Sequence, residues 1–257
     1  MNTLLYSISN RIASITLNRP DKRNALNNEI VSELTDAFNQ AEQDDRVNVI
    51  ILKAAGEAFC AGADLSYLQQ LQKNSLEENL ADSTNLKNLY RKIYTLSKPV
   101  IAQVQGHALA GGCGLATVCD FCFSVPEAKF GYTEVKIGFI PAVVMVFLIR
   151  KIGDGKARQL LLSGDAISAD EALEKGLITR IVQQSDLEKT VLDFAGHLVT
   201  TNSATSMKIT KQMIAEVQNL PLDAALNYAA NMNAQARATD DCKRGIAAFL
   251  NKEKILW

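Results

Sequence analysis

The N-terminal hydrophobic residues alternate with polar ones, as they do in half-buried strands. Ile8, Ile12, Ile15 and Leu17 appear among Ser, Asn and Thr residues, and such alternation places apolar side chains on one face of a sheet. After a turn at residues 18–23, apolar residues recur at helical spacing and predict an amphipathic helix. The residues on its apolar face are Ile30, Val31, Leu34, Phe38 and Ala41.

Three later runs are continuously apolar or β-branched, which is typical of buried strands in a parallel sheet. They cover residues 47–52, 99–104 and 121–125. Each of the first two ends in a glycine-containing loop that leads into a helix. Because successive strand–loop–helix units build α/β folds with the ligand site at the loops, we predict an α/β protein of this kind.

Helix start and stop signals become frequent from residue 168. Ser168–Glu171 and Ser185–Glu188 each match a capping box, in which the first and fourth residues satisfy each other's backbone N–H groups. Gly176 is the predicted C-cap of the first of these helices. Residues 177–182 predict one further strand, and the second capping box predicts a helix that continues to about Thr200.

Beyond residue 202 the pattern contains helices and no strand. The predicted helices cover residues 204–217, 222–238 and 240–251. This change predicts a core domain of residues 1–200 and a helical region of residues 201–257. The stretch at residues 69–89 is polar and weakly periodic, and we expect it to form a mobile helix or lid.

Composition and charge narrow the range of ligands. A chain of 257 residues, 47% of them hydrophobic, can bury a core without disulfides or metals. The formal net charge of −1 provides no general attraction to nucleic acid or to an anionic membrane. The longest apolar run, residues 137–149, contains Pro141 and is too short to span a bilayer. We therefore expect no nucleic-acid or membrane partner, and any polyanionic ligand must be held by local lysines or arginines.

The five cysteines predict reduced thiols. Their number is odd, their spacing is irregular and the N-terminus does not resemble a secretory segment, so we expect a cytoplasmic protein. Cys119 and Cys122 form a lone CxxC pair. A zinc site would need a second pair of ligands, and the only histidines are His107 and His197. We predict no metal site and interpret these thiols as buried apolar groups.

Two glycine-containing loops, residues 59–65 and 105–115, are the candidates for chemistry. The first N–H groups of a helix are unpaired and carry positive partial charge. Two such groups from different loops could converge on one carbonyl oxygen and form an oxyanion hole. Each loop alone is more typical of an ordinary strand-to-helix turn. Neither carries a phosphate or dinucleotide fingerprint, and no GxSxG elbow occurs.

A family resemblance extends this interpretation. The two loops, together with NRPDKRNAL at residues 18–26, AKFGYTEVKIGFIP at 128–141 and KARQLLLSGDAISADEALEKGLI at 156–178, resemble the enoyl-CoA hydratase/isomerase (crotonase) family. The resemblance covers nearly the whole chain. It implies a crotonase-like spiral of ββα units and C-terminal helices that form a homotrimer or a hexamer made of two trimers. It also implies an acyl-CoA substrate, with no cofactor beyond the coenzyme A that the substrate carries.

Position by position, the resemblance assigns the oxyanion hole to the backbone N–H groups of Ala63 and Gly111. The residues that it places around the substrate are Lys22, Arg23, Ala25, Leu26, Cys60, Ala61, Gly62, Asp64, Leu65, Gly112 and Gly114, with Phe249 and Lys252 from the C-terminal region. In this family the C-terminal contact can come from a neighbouring subunit. For the side chain of Asp64 we favour the structural role of helix N-cap. For His107 we favour packing or hydrogen bonding over catalysis.

The resemblance also predicts a single catalytic carboxylate. Many hydratases of the family carry two glutamates, one in a GGGCE-like segment and one in an FGxPE-like segment. Here Gly114 replaces the first, whereas Glu134 is retained and is the predicted general acid/base. A single glutamate can add water across a conjugated double bond or move a proton between Cα and Cγ. Chemistry alone does not choose between hydration and isomerisation.

The segment after Glu134 favours hydration. Residues 133–144, which include a Pro-Ala-Val motif, resemble a subgroup that hydrates branched glutaconyl thioesters such as 3-methylglutaconyl-CoA. Such a substrate needs a cation for its distal carboxylate, and the candidates are Lys87, Arg91 and Lys136. The leading hypothesis is thus a hydratase of short or branched enoyl-CoA thioesters. The alternatives are a Δ3,Δ2-enoyl-CoA isomerase and a non-catalytic CoA-binding or scaffold protein.

Overall fold

The computed structural model describes all 257 residues and has nine strands and eleven α-helices. The strands are β1 (Leu4–Ser9), β2 (Ile12–Leu17), β3 (Val49–Ala54), β4 (Val100–Val104), β5 (Ala108–Leu109), β6 (Phe121–Ser124), β7 (Lys129–Gly131), β8 (Ile167–Ser168) and β9 (Arg180–Ile181). The helices are α1 (Asn28–Gln43), α2 (Leu65–Leu71), α3 (Leu76–Thr95), α4 (Gly111–Val118), α5 (Ala142–Ile152), α6 (Asp154–Ser163), α7 (Ala169–Lys175), α8 (Leu187–Thr201), α9 (Ala204–Val217), α10 (Leu222–Ala238) and α11 (Asp240–Leu250). Short 3-10 helices occupy Pro20–Lys22 and Glu134–Ile137.

The strands form two sheets. The larger has the order β1-β2-β3-β4-β6-β9, and the smaller has the order β5-β7-β8. In the larger sheet β1 and β2 form an antiparallel hairpin, and every later neighbour is parallel. Parallel pairing requires crossover connections, and these are supplied by helices, which confirms the predicted α/β class.

The chain passes repeatedly from one sheet to the other. β4 lies in the larger sheet and β5 in the smaller; β6 and β7 repeat the same step. Two isolated parallel bridges, Leu26 with Ala63 and Cys60 with Ala108, continue the smaller sheet through loops. The smaller sheet is therefore extended by neighbouring strand-like segments, which contain residues 26, 60–63, 108–109 and 130–131. This arrangement brings together loops that are distant in sequence.

One cluster of 55 buried apolar residues holds the two sheets and the surrounding helices together, and its last member along the chain is Val199. The predicted amphipathic helix is confirmed as α1, because all five residues of its expected apolar face are buried. The C-terminal helices contribute little to this core, and α10 buries no residue. The division near residue 200 into a core domain and a helical region stays a prediction.

Most predicted helix boundaries are confirmed. Ser168 caps α7 in a capping box with Glu171, and Gly176 ends that helix with a left-handed backbone. The second capping box is wrong: α8 begins after Asp186, whose side chain makes no cap hydrogen bond. Residues 184–186 form a turn instead, so local turn geometry prevailed over the sequence motif. The strand predicted at residues 177–182 is reduced to β9.

The predicted C-terminal helices agree with α9, α10 and α11 to within a residue. Residues 69–89, predicted as a helix or lid, comprise the end of α2, the turn at residues 72–75 and most of α3. Their mobility stays a prediction. None of the helices combines the length and the hydropathy that crossing a bilayer requires.

Candidate active site

The first glycine loop is held on both sides of Ala63. Leu26 donates its N–H to the carbonyl oxygen of Gly62 at 2.7 Å, and its own carbonyl oxygen accepts the N–H of Asp64 at 2.8 Å. In a parallel bridge the groups of alternate residues point to opposite sides. The N–H of Ala63 therefore points away from Leu26, and it donates to no acceptor within the chain.

The second glycine loop reaches α4 through a strained residue. Leu109 donates to Cys60 O at 3.0 Å and Ala110 donates to Gly131 O at 2.7 Å, which ties the loop to both neighbouring segments. Ala110 has φ 49° and ψ −125°, a backbone conformation that costs a non-glycine residue about 1–3 kcal/mol. The next residue, Gly111, begins α4, and its N–H also has no acceptor within the chain.

The two loops lie in direct contact. A Cβ atom added to Gly62 would lie 2.9 Å from Cβ of Ala110, and one added to Gly112 would lie 2.3 Å from the carbonyl oxygen of Cys60. Only glycine allows such approaches. The structure thus brings the predicted donors Ala63 and Gly111 onto adjacent loops, each with an unused N–H group.

Tyr90 of α3 lies beneath the second loop and was not singled out in the sequence. Its hydroxyl donates to Gly111 O at 2.7 Å, and the residue is fully buried. In the sequence Tyr90 stands between Leu89 and Ile93, which are also buried on α3. Helical spacing therefore presents Tyr90 as an ordinary core residue, and nothing local marks its hydroxyl as a support for the glycine loop.

Glu134 follows β7 and opens the second 3-10 helix. Just before it, Tyr132 is fully buried and its hydroxyl lies 2.6 Å from Thr117 Oγ1 of α4. Just after the helix, Gly138 adopts a left-handed backbone with φ 74°. Glu134 thus stands three residues beyond β7, the strand that pairs with β5 of the second glycine loop.

The environment of Glu134 favours its neutral form. Its Oε2 atom is buried and has no hydrogen-bond partner. Burial raises the pKa of Glu134 above the ordinary value of 4.5, and a hydrogen bond from its own backbone N–H offsets only part of this effect, because a poorly solvated carboxylate favours the neutral form. The pKa of Tyr90 is raised well above 10.0 chiefly by burial and also by the negative charge of Glu134. Glu134 and Tyr90 are therefore electrostatic neighbours.

Asp64 is the N-cap of α2, as predicted. Its side chain accepts the N–H of Ser66 at 3.0 Å and the hydroxyl of the same residue at 2.7 Å. Its other oxygen pairs with Arg19 at 2.9 Å. The Ser66 hydroxyl and the Arg19 guanidinium hold the pKa of Asp64 below its ordinary value. The side chain therefore braces the turn at residues 18–26 against the first glycine loop.

The remaining predicted substrate-binding residues divide into an inner and an outer group. The backbone around the first loop is buried or half-buried and comprises Ala25, Leu26, Cys60, Ala61 and Gly62. Lys22 and Arg23 are exposed at the rim. Leu65, at the start of α2, is 79% exposed. An apolar side chain left in solvent beside the loops is available to a ligand.

Phe249 and Lys252 lie apart from the loops. Phe249 is on α11 and is 82% exposed, and Lys252 follows that helix. No hydrogen bond or ion pair joins either residue to residues 22–26 or 60–65 of the same chain. Their predicted contact with substrate through a neighbouring subunit stays a prediction.

Other residues considered in the sequence have structural partners. His107 is exposed and its Nδ1 accepts the N–H of Lys129 at 3.2 Å. Cys119 and Cys122 are buried free thiols, and burial raises the pKa of Cys119 to about 12. A cavity of about 770 Å³ lies between α9 and the core and includes Asp120, Lys211 and Trp257 in its lining. It contains none of the predicted catalytic residues.

Comparison with known proteins identifies the family. Residues 7–257 match the family model described as enoyl-CoA hydratase/isomerase. The chain is 35% identical to the short-chain-enoyl-CoA hydratase of Clostridium acetobutylicum, over 99% of this chain and 97% of that protein. It is 36% identical to the crotonyl-CoA hydratase of Syntrophomonas wolfei, over 95% and 93%.

The fold comparison agrees. The crystal structure of an enoyl-CoA hydratase from Shewanella pealeana superposes with a TM-score of 0.93 at 30% identity and covers 99% of this chain and 96% of that chain. This agreement confirms the predicted crotonase fold. The family match, the full-length relatives and the shared fold lead to one conclusion: the chain belongs to the enoyl-CoA hydratase/isomerase family.

Proposed function

We propose that the protein adds water to short or branched α,β-unsaturated acyl-CoA thioesters. The observation that carries the proposal is the juxtaposition of two unused N–H groups, of Ala63 and Gly111, on contacting loops. Both would donate to the thioester oxygen. Negative charge grows on that oxygen during addition, and each such donor contributes about 3–4 kcal/mol to catalysis in comparable sites.

Glu134 is the proposed general acid/base. The water oxygen bonds to Cβ while Glu134 accepts a proton from the water. The electron pair of the Cα–Cβ double bond moves into the thioester and gives an enolate. Glu134 then returns its proton to Cα, and the thioester carbonyl re-forms. The buried, partnerless Oε2 and the raised pKa of Glu134 suit a carboxyl group that must both accept and release a proton.

The coenzyme A part is proposed to lie along the rim of the loops. Lys22 and Arg23 are exposed cations there, and the adenine and phosphates would lie near residues 22–26 and 60–63. Phe249 and Lys252 of a neighbouring subunit would complete this region.

A homotrimer, or a hexamer of two trimers, follows from that proposal. It is supported by the exposed apolar side chains of α10 and α11, such as Leu222, Leu226, Phe249 and Leu250. Light scattering should give a mass of about 84 kDa, three times 28.0 kDa, or twice that value. A mass of one subunit would contradict the proposal.

Two relatives suggest the acyl group. The names of the Clostridium and Syntrophomonas proteins specify short-chain and crotonyl thioesters, and we propose substrates of that size. The finer proposal, 3-methylglutaconyl-CoA, needs a cation for the distal carboxylate. Lys136 already pairs with Asp165 at 2.7 Å, whereas Lys87 and Arg91 lie exposed on α3. Lys87 and Arg91 should each be replaced by alanine. The replacement that removes the cation for the distal carboxylate should raise KM for 3-methylglutaconyl-CoA and leave KM for crotonyl-CoA unchanged.

Isomerisation is the second candidate, and the single carboxylate favours it as much as it favours hydration. The test is incubation with crotonyl-CoA, 3-methylglutaconyl-CoA and a 3-enoyl-CoA, followed by absorbance of the enoyl thioester and by product mass. A gain of 18 Da, the mass of one water, supports hydration. A shifted double bond at unchanged mass supports isomerisation. No turnover of any of the three, with measurable CoA-thioester binding, would support the non-catalytic alternative.

A further inference from the structure

The position at which the family resemblance implies a second glutamate is sterically closed. Gly114 is buried in α4. A Cβ atom added to it would lie 2.3 Å from Cγ1 of Val144 and 3.2 Å from both Cε2 and the hydroxyl oxygen of Tyr90. A separation of 2.3 Å is far below van der Waals contact, so Val144 blocks any side chain at residue 114.

Val144 cannot easily move aside. It is 4% exposed and lies in the first turn of α5, which follows Pro141. A valine in a helix strongly prefers one rotamer, so rotation about its Cα–Cβ bond is costly. One turn further along α5, Phe147 packs edge-on against Tyr90 with ring centroids 6.4 Å apart. The side chains that face Gly114, Val144 and Tyr90, are thus held in place by packing between α5 and α3.

We infer that Val144 is the residue that keeps this a single-carboxylate site. The inference rests on the proposed function, because it assumes that Glu134 is the acid/base. Val144 fills the space into which a glutamate at residue 114 would extend. Residue 114 therefore supplies no carboxylate, and Glu134 acts without a second one. A second carboxylate can enter only if residues 114 and 144 change together.

A thermal cycle tests the steric part without any activity measurement. Gly114→Ala should lower Tm by about 5 °C or more, as overpacking of a buried site does. In the Val144→Ala background, the Tm loss caused by Gly114→Ala should be smaller than in the natural chain by at least about 3 °C. Gly112→Ala is the matched control, because its Cβ would meet the backbone oxygen of Cys60; Val144→Ala should not relieve it. Equal Tm losses from Gly114→Ala in both backgrounds would overturn the inference.

A kinetic comparison tests the functional part. The double variant Gly114→Glu, Val144→Gly supplies both the carboxylate and the space. In the natural chain Glu134→Gln removes the proposed catalytic carboxylate and should lower kcat at least a hundredfold. In the double variant the same change leaves a carboxylate in the site, and the loss should be at least tenfold smaller. Equal losses in the two backgrounds would show that residue 114 does not reach the reacting atoms.

The two experiments separate the inference from the proposed function. A thermal cycle that shows relief, together with normal activity of Glu134→Gln in the natural chain, would refute Glu134 as the acid/base while the steric role of Val144 stands. A thermal cycle without relief refutes the inference whatever the activities are. If the double variant does not fold, the alanine cycle alone decides the steric claim.

Discussion

Replacing Glu134 by glutamine should remove catalysis while keeping the shape of the site. The amide is nearly isosteric with the carboxylate but cannot accept and return a proton at neutral pH. Because the interaction acts in the transition state, kcat and kcat/KM should fall together, with KM little changed. A general acid/base contributes about 10²–10⁴ in rate, which corresponds to about 3–5 kcal/mol of activation free energy.

The same substitution should stabilise the fold at neutral pH. Burial raises the pKa of Glu134 in the folded chain, so folding favours the protonated carboxyl. The associated stability is present below the unfolded-state pKa and is lost as pH rises through the folded-state pKa. The glutamine variant has no such loss. Its Tm should therefore exceed that of the natural chain at pH 7, and the difference should shrink as pH falls toward 4.

The assay is the loss of enoyl absorbance of crotonyl-CoA, with melting curves for the same samples. Glu127→Gln is the matched control, because Glu127 is an exposed carboxylate on the loop before β7 and should change neither quantity. In the natural chain, activity should decrease as pH is lowered through the pKa of Glu134, which lies above the ordinary glutamate value of 4.5. Water activation needs the carboxylate, and lowering the pH protonates it. Turnover of Glu134→Gln within threefold of the natural chain would refute the assignment.

Three further substitutions test how the loops are held. Ala110→Gly should relieve a backbone strain of about 1–3 kcal/mol, which exceeds the entropic cost of about 0.4–1 kcal/mol for the added glycine. Tm should therefore rise by a few degrees while activity persists, and a lower Tm would show that Ala110 is not strained. Tyr90→Phe removes the hydroxyl that donates to the carbonyl oxygen of Gly111 at 2.7 Å, and it should lower kcat about tenfold with KM little changed. An unchanged kcat would show that the hydroxyl has no positioning role. Asp64→Ala removes a helix cap and the partner of Arg19; a chemical denaturation curve should show a loss of about 2 kcal/mol or more, and Asp64→Asn, which keeps the cap acceptor, should lose less.

The sequence predicts well those features that depend on local periodicity. The apolar spacing of α1 and the Ser168 capping box are confirmed because side chains adjacent along the helix determine them. The capping box predicted at residues 185–188 does not form, because such a motif allows a helix to begin without requiring it. The chain forms a turn there, and α8 begins one residue beyond Asp186.

The contacts across the site were beyond local reasoning. Family resemblance indicated Ala63 and Gly111, but the bridge from Leu26 to Ala63 joins residues far apart in the chain. Tyr90 looks like a core residue at helical spacing, and only its 2.7 Å hydrogen bond reveals the link to Gly111. Likewise, the family resemblance implies a glutamate at the position of Gly114, whereas the close approach of Val144 to that position is a packing relation between two helices.

The most direct test of the central claim is a crystal structure with a bound enoyl-CoA substrate analogue. The two distances to measure run from the thioester oxygen to the backbone nitrogens of Ala63 and Gly111. We predict that both lie near 2.7–3.1 Å, as in an oxyanion hole, with Glu134 facing Cα and Cβ. A thioester oxygen that contacts neither nitrogen, or a loop turned so that either N–H donates within the protein, would contradict the account.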